Sequence, residues 1–307
     1  MKLENLEKLN LEDKLQKLKK LKAEKDAVIL AHYYVNKDIQ DIADYIGDSF
    51  FLAQKATELK EKTIVMAGVY FMGESVKILN PSKNVLIPDI EADCPMAHMV
   101  SVEKIKEMRE KYDDLAVVTY INSTAEIKAY SDVCVTSSNA TKIVNKLKEK
   151  NIFFVPDKNL GDYIKKSLPN KNIILNDGYC PVHDEINIDE IKFYKGKVKI
   201  LAHPECRKEV LDLADFIGST KAIINEAGKY QDVLVVTEEG IFTELNKRYP
   251  NVKFRKLSNR PICNDMKKLN LDKVIEVIEN NENQIKVSKE IRDKALIPLK
   301  RMLELGA

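Results

Sequence analysis

The 307-residue sequence has no marked excess of charge of one sign and no long apolar run. Lys and Arg number 50 against 48 Asp and Glu, which argues against a nucleic-acid or membrane partner, because such partners usually require a concentrated basic excess. No apolar run approaches the roughly 18 residues that span a bilayer. The charged, Leu-rich first residues also lack the apolar core of a signal peptide, so we expect a cytoplasmic protein.

Several short motifs are absent as well. The sequence contains no C-x-x-C pair, which argues against a zinc ribbon or a ferredoxin-type site, since both use this ligand spacing. It contains neither G-x-G-x-x-G nor G-x-x-x-x-G-K-[ST], which argues against binding of dinucleotides and nucleoside triphosphates. In a reducing compartment, its five cysteines are more typical of thiols or metal ligands than of disulfides.

What the sequence does contain is one pattern repeated three times, over residues 28–95, 117–181 and 199–263. The first apolar run of each repeat ends near His32, Tyr120 and His203. The second run is followed by Ser49, Ser137 and Ser219, and the last run by Cys94, Cys180 and Cys263. Three similar units with one cysteine each predict a pseudo-threefold molecule with a three-cysteine site at its centre.

Each repeat offers short apolar runs separated by helical patterns. In the second repeat the predicted strands are residues 116–120, 133–136, 152–155 and 173–175, and helices are predicted over 140–150 and 160–167. Strands that alternate with amphipathic helices are typical of a parallel sheet covered on both faces. We therefore predict the α/β class, with three pseudo-threefold-related three-layer α/β/α domains, each holding a parallel sheet of about four strands.

The domain boundaries follow from the repeats. The predicted domains are residues 1–100, 101–184 and 185–270. Leucines at three-to-four spacing predict an amphipathic helix over residues 3–22, and residues 271–305 have the same helical pattern. The C-terminal segment 271–307 is expected to pack on the first domain.

The chemically capable residues are predicted at one edge of each sheet. Ligands of an open parallel sheet bind beyond the carboxyl ends of its strands. The residues that follow a first strand are His32 and Tyr34, Tyr120 and Asn122, and His203 and Glu205. Those that follow a second strand and open a helix are Asp48 and Ser49, Ser137 and Ser138, and Ser219 and Thr220. Sheet edges that face one another would enclose one polar site at the central junction.

The cysteines divide into two groups. Cys134, inside a predicted strand, and Cys206 are interpreted as small buried apolar residues. For the three cysteines that recur in register, that interpretation requires the same coincidence three times, so a metal site is favoured. Three thiolates with a vacant fourth position suit either Zn²⁺ or a [4Fe–4S] cluster with one open iron, and spacing does not separate these two.

The hydroxyl residues also have two interpretations. Each Ser or Thr at a strand-to-helix turn could simply cap its helix. Three such pairs at one pole, beside exposed backbone N–H groups, would instead bind carboxylates or a phosphate. Near them, His183 follows Cys180 by three residues, and the phenol of Tyr34 could move protons if a metal lowered its pKa.

Together these motifs resemble the quinolinate synthase family, the A protein of bacterial NAD synthesis. The resemblance covers about residues 27–270, and the matching segments are HYY at 32–34, FMGE at 71–74, KILNP at 77–81, DCPMA at 93–97, TYINSTAE at 119–126, PDKNLG at 156–161, GYCPVH at 178–183 and HPEC at 203–206. Two departures are small. Asn264 and Asp265 follow Cys263 where the family usually has Pro-Asn, and Tyr70 stands where Asp is common.

The resemblance implies a [4Fe–4S] cluster on Cys94, Cys180 and Cys263. It implies condensation of iminoaspartate with dihydroxyacetone phosphate to quinolinate, with loss of phosphate and water, and a functional link to L-aspartate oxidase or aspartate dehydrogenase. Tyr34 and Glu205 would move protons, and His183 would contact substrate near the cluster. The residues implied to hold carboxylates or phosphate are His32, Ser49, Tyr120, Asn122, Ser137, Ser138, His203, Ser219 and Thr220.

Two other functions fit the same residues. The first is a hydrolase or aldolase with zinc on the three cysteines, which would be colourless and would contain no sulfide. The second is a non-enzymatic anion-binding sensor, which would need only the anion sites. Replacing one of the three cysteines would then leave ligand binding intact.

Overall fold

The structure is a computed structural model that describes residue 6 and residues 9–306. Part of the helix predicted over residues 3–22 lies outside the described residues. In the described part, the helix spans Leu11–Glu24 and so begins and ends later than predicted. The side chain of its N-cap residue Asn10 accepts a hydrogen bond from the Asp13 N–H at 2.9 Å.

The described residues contain three parallel four-stranded sheets. The strands are β1 (Ala27–His32), β2 (Tyr45–Gly47), β3 (Thr63–Ala67), β4 (Asn84–Leu86), β5 (Leu115–Tyr120), β6 (Val133–Val135), β7 (Asn151–Val155), β8 (Asn172–Leu175), β9 (Lys199–Ala202), β10 (Phe216–Ile217), β11 (Asp232–Val236) and β12 (Lys253–Arg255). Their orders are β2-β1-β3-β4, β6-β5-β7-β8 and β10-β9-β11-β12. The same order three times confirms the predicted α/β class and its three repeated sheets.

Burial explains why the two inner strands of each sheet are the longest. Every residue of β1 and of β5 is buried, as continuous apolar runs in a doubly covered parallel sheet require. In the second repeat, the observed strands begin at most one residue before the predicted ones. The edge strand β6 ends at Val135, one residue earlier than predicted.

The chain divides into two compact units, Met1–Cys94 with Asn264–Lys289, and Pro95–Cys263 with Glu290–Ala307. The first unit contains the sheet β1–β4 and the helices Leu11–Glu24, Lys37–Ile42, Ser49–Glu58, Tyr70–Leu79, Asn264–Lys267 and Leu271–Asn280. In this unit Leu271–Asn280 packs against Leu11–Glu24. Lys14 pairs with Asp272 at 2.7 Å across these two helices.

The second unit contains the other two sheets. Its helices are Val102–Lys111, Ala125–Ala129, Ala140–Lys146, Lys158–Ser167, Pro181–Asp184, Ile188–Tyr194, Lys208–Leu211, Thr220–Ala227 and Ile241–Arg248, with a 3₁₀ helix at Pro95–His98. One core lies under β5 and β7 and includes Ile105, Val117 and Phe153. Another lies under β9 and β11 and includes Ile200 and Leu234.

The C-terminal segment forms two helices where one continuous helical pattern was predicted. Leu271–Asn280 ends at Asn281, which has φ 56° in the left-handed region and so terminates the helix. The last helix spans Lys289–Gly306 and belongs to the second unit from Glu290 on; within that unit its Arg301 donates a hydrogen bond to the Asp132 carbonyl. The domain boundaries proposed from the repeats stay predictions. Among the described residues, no helix combines the length and the apolar content needed to cross a membrane.

Candidate metal and substrate site

In the second unit, polar residues gather at the carboxyl ends of neighbouring strands. His203 and Glu205 follow β9, and Thr237 and Glu238 follow β11, which is paired with β9. His183 lies in the short helix Pro181–Asp184. The topology thus brings together residues that are far apart in the sequence.

The Glu205 carboxylate contacts two imidazole rings through one oxygen atom. Its Oε2 atom is 2.8 Å from Nδ1 of His183 and 3.3 Å from Nδ1 of His203. The two rings are stacked, with centroids 4.8 Å apart. All three side chains are at most 5% exposed, so water screens their charges little and a proton can be exchanged among them.

The outer ring nitrogens of both histidines also have partners. Nε2 of His183 lies 2.9 Å from Oγ1 of Thr237, and Nε2 of His203 lies 3.3 Å from Oγ of Ser137. These contacts hold the two rings in fixed orientations beside Glu205. The pairing of His203 with Ser137 joins two residues that were predicted separately for substrate binding.

Two buried carboxyl groups near this cluster have opposite pKa shifts. Burial raises the pKa of Glu205, but the imidazoles of His203 and His183 outweigh burial and hold the pKa well below its usual range. Burial and the nearby charge of Glu205 raise the pKa of Asp157 well above its usual range. Neighbouring acids whose pKa values are pushed apart are typical of sites that move protons.

Cys180 also contacts this cluster. Its Sγ atom lies 3.2 Å from Nδ1 of His183. The potential ligand atoms of Cys180, His183 and Glu205 all lie within 4.8 Å of one another. A thiolate, an imidazole and a carboxylate at such distances could bind a metal ion.

The accessibility of the cysteines separates the two predicted groups. None of the five is in a disulfide, and Cys94, Cys180 and Cys263 are partly exposed. Cys134 and Cys206 are fully buried, as predicted. Burial raises the pKa of the Cys134 thiol to about 12. Burial and Glu205 raise the pKa of Cys206 far above its ordinary value. Three partly exposed thiols, one of them beside His183 and Glu205, are compatible with a metal cofactor.

One backbone hydrogen bond recurs just before each of the three accessible cysteines. The donor is the third residue after the third strand of the sheet, and the acceptor is the carbonyl of the residue two before the cysteine. The three bonds are Tyr70 N–H to Ala92 at 2.8 Å, Lys158 N–H to Gly178 at 2.7 Å, and Glu239 N–H to Pro261 at 2.9 Å. We call this bond the cysteine latch.

The latch of the second repeat requires a glycine. A Cβ atom at position 178 would lie 2.6 Å from the Pro156 carbonyl oxygen, a backbone atom that cannot move aside. Asp157 and Gly178 also form an isolated parallel bridge there. Gly178 thus permits the close approach of two backbone segments that places Cys180.

In the first unit, His32 is the last residue of β1 and is buried. Its Nδ1 accepts a hydrogen bond from the Tyr34 N–H at 3.2 Å, and its ring meets the Tyr34 ring edge-on with centroids 4.6 Å apart. Lys267 donates to the Tyr34 carbonyl at 2.6 Å. The loop after β1 is thereby held in place, with the Tyr34 side chain partly exposed.

The hydroxyl residues differ in how far they serve as caps. Ser219 is the N-cap residue of Thr220–Ala227 and accepts the Ala222 N–H at 3.3 Å, with Thr220 as the first helical residue. Ser49 opens Ser49–Glu58, but Asp48 is the cap residue there. Helix capping therefore accounts for Ser219 and leaves Ser49 without that role.

Strand β5 and the turn after β6 carry the remaining predicted residues. Tyr120 is the buried last residue of β5, and Asn122 lies two residues further on, half-buried. Asn139, not Ser137 or Ser138, is the N-cap residue of Ala140–Lys146. Ser138 is exposed and lies 2.8 Å from the hydroxyl of Thr136.

Sequence reasoning missed three residues of this site, namely Asp157, Thr237 and Glu238. Asp157 and Glu238 each lie two residues after the third strand of their sheet, and both are fully buried. They are 81 residues apart, close to the spacing of the corresponding serines and cysteines in the second and third repeats. Alignment of the second and third repeats would have marked both, because an acid that recurs two residues after an apolar strand stands at the ligand-binding edge of the sheet.

The comparisons with known proteins agree with the motifs. The family model described as quinolinate synthetase A protein matches residues 16–304. The chain belongs to the quinolinate synthase family. This confirms the resemblance drawn from the motifs, and with it the interpretation of the chain as an enzyme.

Curated relatives match along almost the whole chain. The quinolinate synthase of Fusobacterium nucleatum is 58% identical over 294 residues, which cover 94% of this chain and 98% of that protein. The quinolinate synthase of Clostridium novyi is 48% identical over 303 residues, covering 97% and 99%. That of Clostridioides difficile is 46% identical over 299 residues, covering 96% and 98%. The family therefore extends over both compact units.

Proposed function

We propose that the protein condenses iminoaspartate with dihydroxyacetone phosphate to quinolinate, with release of phosphate and water, in NAD biosynthesis. The buried cluster in which Glu205 contacts both His183 and His203 supports the proposal most directly, because cyclisation and dehydration require protons to be removed and returned at several atoms. Membership of the quinolinate synthase family supports the choice of substrates.

We propose that a [4Fe–4S] cluster is bound by Cys94, Cys180 and Cys263. These three cysteines are partly exposed, and the other two are fully buried. The cysteine latch lies two residues before each of the three. When bound, the cluster would supply one iron without a cysteine ligand, which acts as a Lewis acid toward a substrate oxygen.

The chain's own residues would perform the acid–base steps. The Glu205 carboxylate, whose pKa is held below its usual range, would accept hydrogen bonds from the neighbouring Nδ1 atoms and keep a proton there for transfer, since the three side chains are in contact and shielded from water. Thr237 keeps the His183 ring oriented toward Glu205 and Cys180. Tyr34, partly exposed beside the buried ring of His32, would move a proton in the isomerisation step.

We propose that the predicted hydroxyl and amide residues bind the anionic groups of the substrates. Thr220 is the first residue of an eight-residue helix, whose N-terminal N–H groups favour a carboxylate or phosphate. His203 Nε2 and Ser137 Oγ lie 3.3 Å apart, close enough for both to bind the same oxygen atom of a substrate. The remaining residues proposed for this role are His32, Ser49, Tyr120, Asn122, Ser138 and Ser219.

The substrates also define where the protein works. We propose that iminoaspartate is supplied by an enzyme that oxidises aspartate, such as L-aspartate oxidase or aspartate dehydrogenase. Since all these compounds are soluble metabolites, we propose a cytoplasmic location.

Anaerobic purification followed by an absorption spectrum, iron and sulfide assays and a quinolinate assay tests the proposal. The expected preparation is brown, contains about four irons and four sulfides per chain, and forms quinolinate from the two substrates. A colourless preparation that contains zinc and no sulfide would instead indicate the zinc enzyme. Anion binding without turnover would indicate the sensor.

A further inference from the structure

The loop that carries Cys263 is built differently from the other two cysteine loops. Cys94 is followed by Pro95 and a 3₁₀ helix, and Cys180 is the N-cap residue of a helix with a proline at its first position. Position 264 is Asn, so the third loop lacks the proline that restricts the chain after the other cysteines. Most of residues 256–262 are exposed.

A buried carboxyl group reaches this loop. The side chain of Glu238 is fully buried. Its Oε1 atom accepts a hydrogen bond from the Cys263 N–H at 3.1 Å, and its Oε2 atom accepts one from the Gly240 N–H at 2.6 Å. One side chain thus joins the backbone of the cysteine to the turn that follows β11.

The next residue adds the latch described above. The Glu239 N–H donates to the Pro261 carbonyl at 2.9 Å, two residues before the cysteine. The Glu239 carboxylate pairs with Lys256 at 3.2 Å and with Arg260 at 3.1 Å. Because both basic side chains are largely exposed, these ion pairs stabilise the loop only slightly.

The contact made by Glu238 differs from these exposed pairs in its burial. Leaving a buried carboxylate oxygen without a hydrogen bond costs free energy, because water cannot replace the lost donor. The two hydrogen bonds of Glu238 therefore constrain the backbone more than an exposed ion pair does. We propose that Glu238 is a positioning residue for Cys263: it holds the backbone of this cysteine so that the thiol is placed to bind a metal centre. This inference rests on the proposed function only for the identity of that centre.

Glu238→Gln is the first variant, since the amide keeps the size of the side chain but offers one acceptor oxygen in place of two. Hydrogen–deuterium exchange of the metal-free chain should show about tenfold faster exchange in residues 256–263. Exchange in residues 172–180, which lead to Cys180, should not change. Alkylation of Cys263 should accelerate by a similar factor relative to Cys180 in the same sample.

Glu244→Gln is the matched control. Glu244 lies on the helix Ile241–Arg248 and pairs with Arg248 at 2.6 Å. This variant makes the same chemical change in the same unit, and we expect exchange and alkylation equal to those of the unchanged chain. A Glu238→Gln chain that behaves like this control in both measurements would overturn the proposal.

Glu238→Asp covers the case in which the Gln variant unfolds, which faster exchange in the buried strand β5 would reveal. Aspartate keeps the carboxyl group but is one methylene shorter, so it cannot span both amides. Faster exchange confined to residues 256–263 would support the proposal. Unchanged exchange in these residues would contradict it.

The cluster provides a further measurement. Reconstituted Glu238→Gln should lose iron to a chelator about tenfold faster than the Glu244→Gln control. If the unchanged chain binds no iron while the exchange result holds, the proposed function fails and the positioning role of Glu238 stands. If iron binds and the exchange result fails, the positioning role is wrong and the proposed function stands.

Discussion

Nδ1 of His183 lies 2.8 Å from Oε2 of Glu205, although His183 lies just after the second repeat of the sequence and Glu205 lies within the third. His183 follows the last strand of the second sheet, and Glu205 follows the first strand of the third sheet. No short sequence motif contains both residues, so the sequence does not predict their contact. The contact joins the predicted proton-transfer residue to the predicted metal ligand, because His183 also touches Cys180.

Glu205→Gln should lower turnover strongly while leaving the cluster in place. The amide has nearly the same shape but cannot take up a proton, and general acid–base groups contribute about 10²–10⁴-fold. Steady-state quinolinate formation measures the loss, with iron and sulfide counts on the same samples as the control. Turnover within twofold of the unchanged enzyme would show that Glu205 does not move the proton.

Tyr34→Phe should also retain the cluster and lose most turnover. The substitution removes only the phenolic oxygen, and the edge-on contact with the His32 ring can persist. Tyr33→Phe is the matched control, since the neighbouring Tyr33 is buried. Near-normal quinolinate formation by Tyr34→Phe would remove its proposed role in proton transfer.

Alanine in place of each accessible cysteine should abolish the cluster. For Cys94, Cys180 and Cys263 we expect little iron and sulfide, because the cluster would lose one of three protein ligands. Cys134→Ala is the control and should keep the full count, since its side chain is fully buried in β6. Equal counts in all four variants would contradict the ligand assignment.

The metal-free chain should show two classes of thiol. Because burial raises the pKa of Cys134 to about 12, almost none of it is thiolate between pH 7 and pH 9. The three partly exposed cysteines should be alkylated within minutes, and alkylation of Cys134 and Cys206 should await unfolding. Mass spectrometry of the labelled chain, with a sample in denaturant as reference, distinguishes the classes. Rapid labelling of Cys134 in the folded chain would contradict the prediction.

Lys158→Pro tests the cysteine latch of the second repeat. Lys158 is the first residue of its helix, where proline is tolerated, and Asp157 has φ −80° and ψ 113°, which suits a residue before proline. The variant removes the N–H that binds the Gly178 carbonyl, so exchange in residues 172–180 should accelerate about fivefold. Lys158→Ala keeps the N–H but also loses the contact of the Lys158 ammonium with the Tyr179 ring, so the proline variant should exchange about fivefold faster than the alanine variant. Unchanged exchange in the proline variant would mean that the latch does not hold the loop.

Much of the fold could be predicted because its signals are local. The apolar runs of the second repeat marked β5 to β8 within about one residue, since a strand buried on both faces needs continuous apolar residues. The break at Asn281 was not predicted, because a left-handed residue interrupts a helix without changing the apolar pattern around it. The helix Pro181–Asp184 was not predicted, because four residues are too few to show a helical period.

The sequence by itself determined the α/β class, the threefold repeat, the family and the division of the cysteines into three accessible and two buried thiols. These properties depend on which residue types recur and at what spacing, and the chain carries that information in its order. Only the tertiary structure decided which side chains meet. It placed Glu205 in contact with both His183 and His203, and it showed that the buried Glu238 accepts a hydrogen bond from the Cys263 N–H. Such contacts depend on where the ends of different strands lie in space and on which N–H groups reach a buried carboxylate. They join residues that are far apart in the chain, so no single stretch of sequence specifies them.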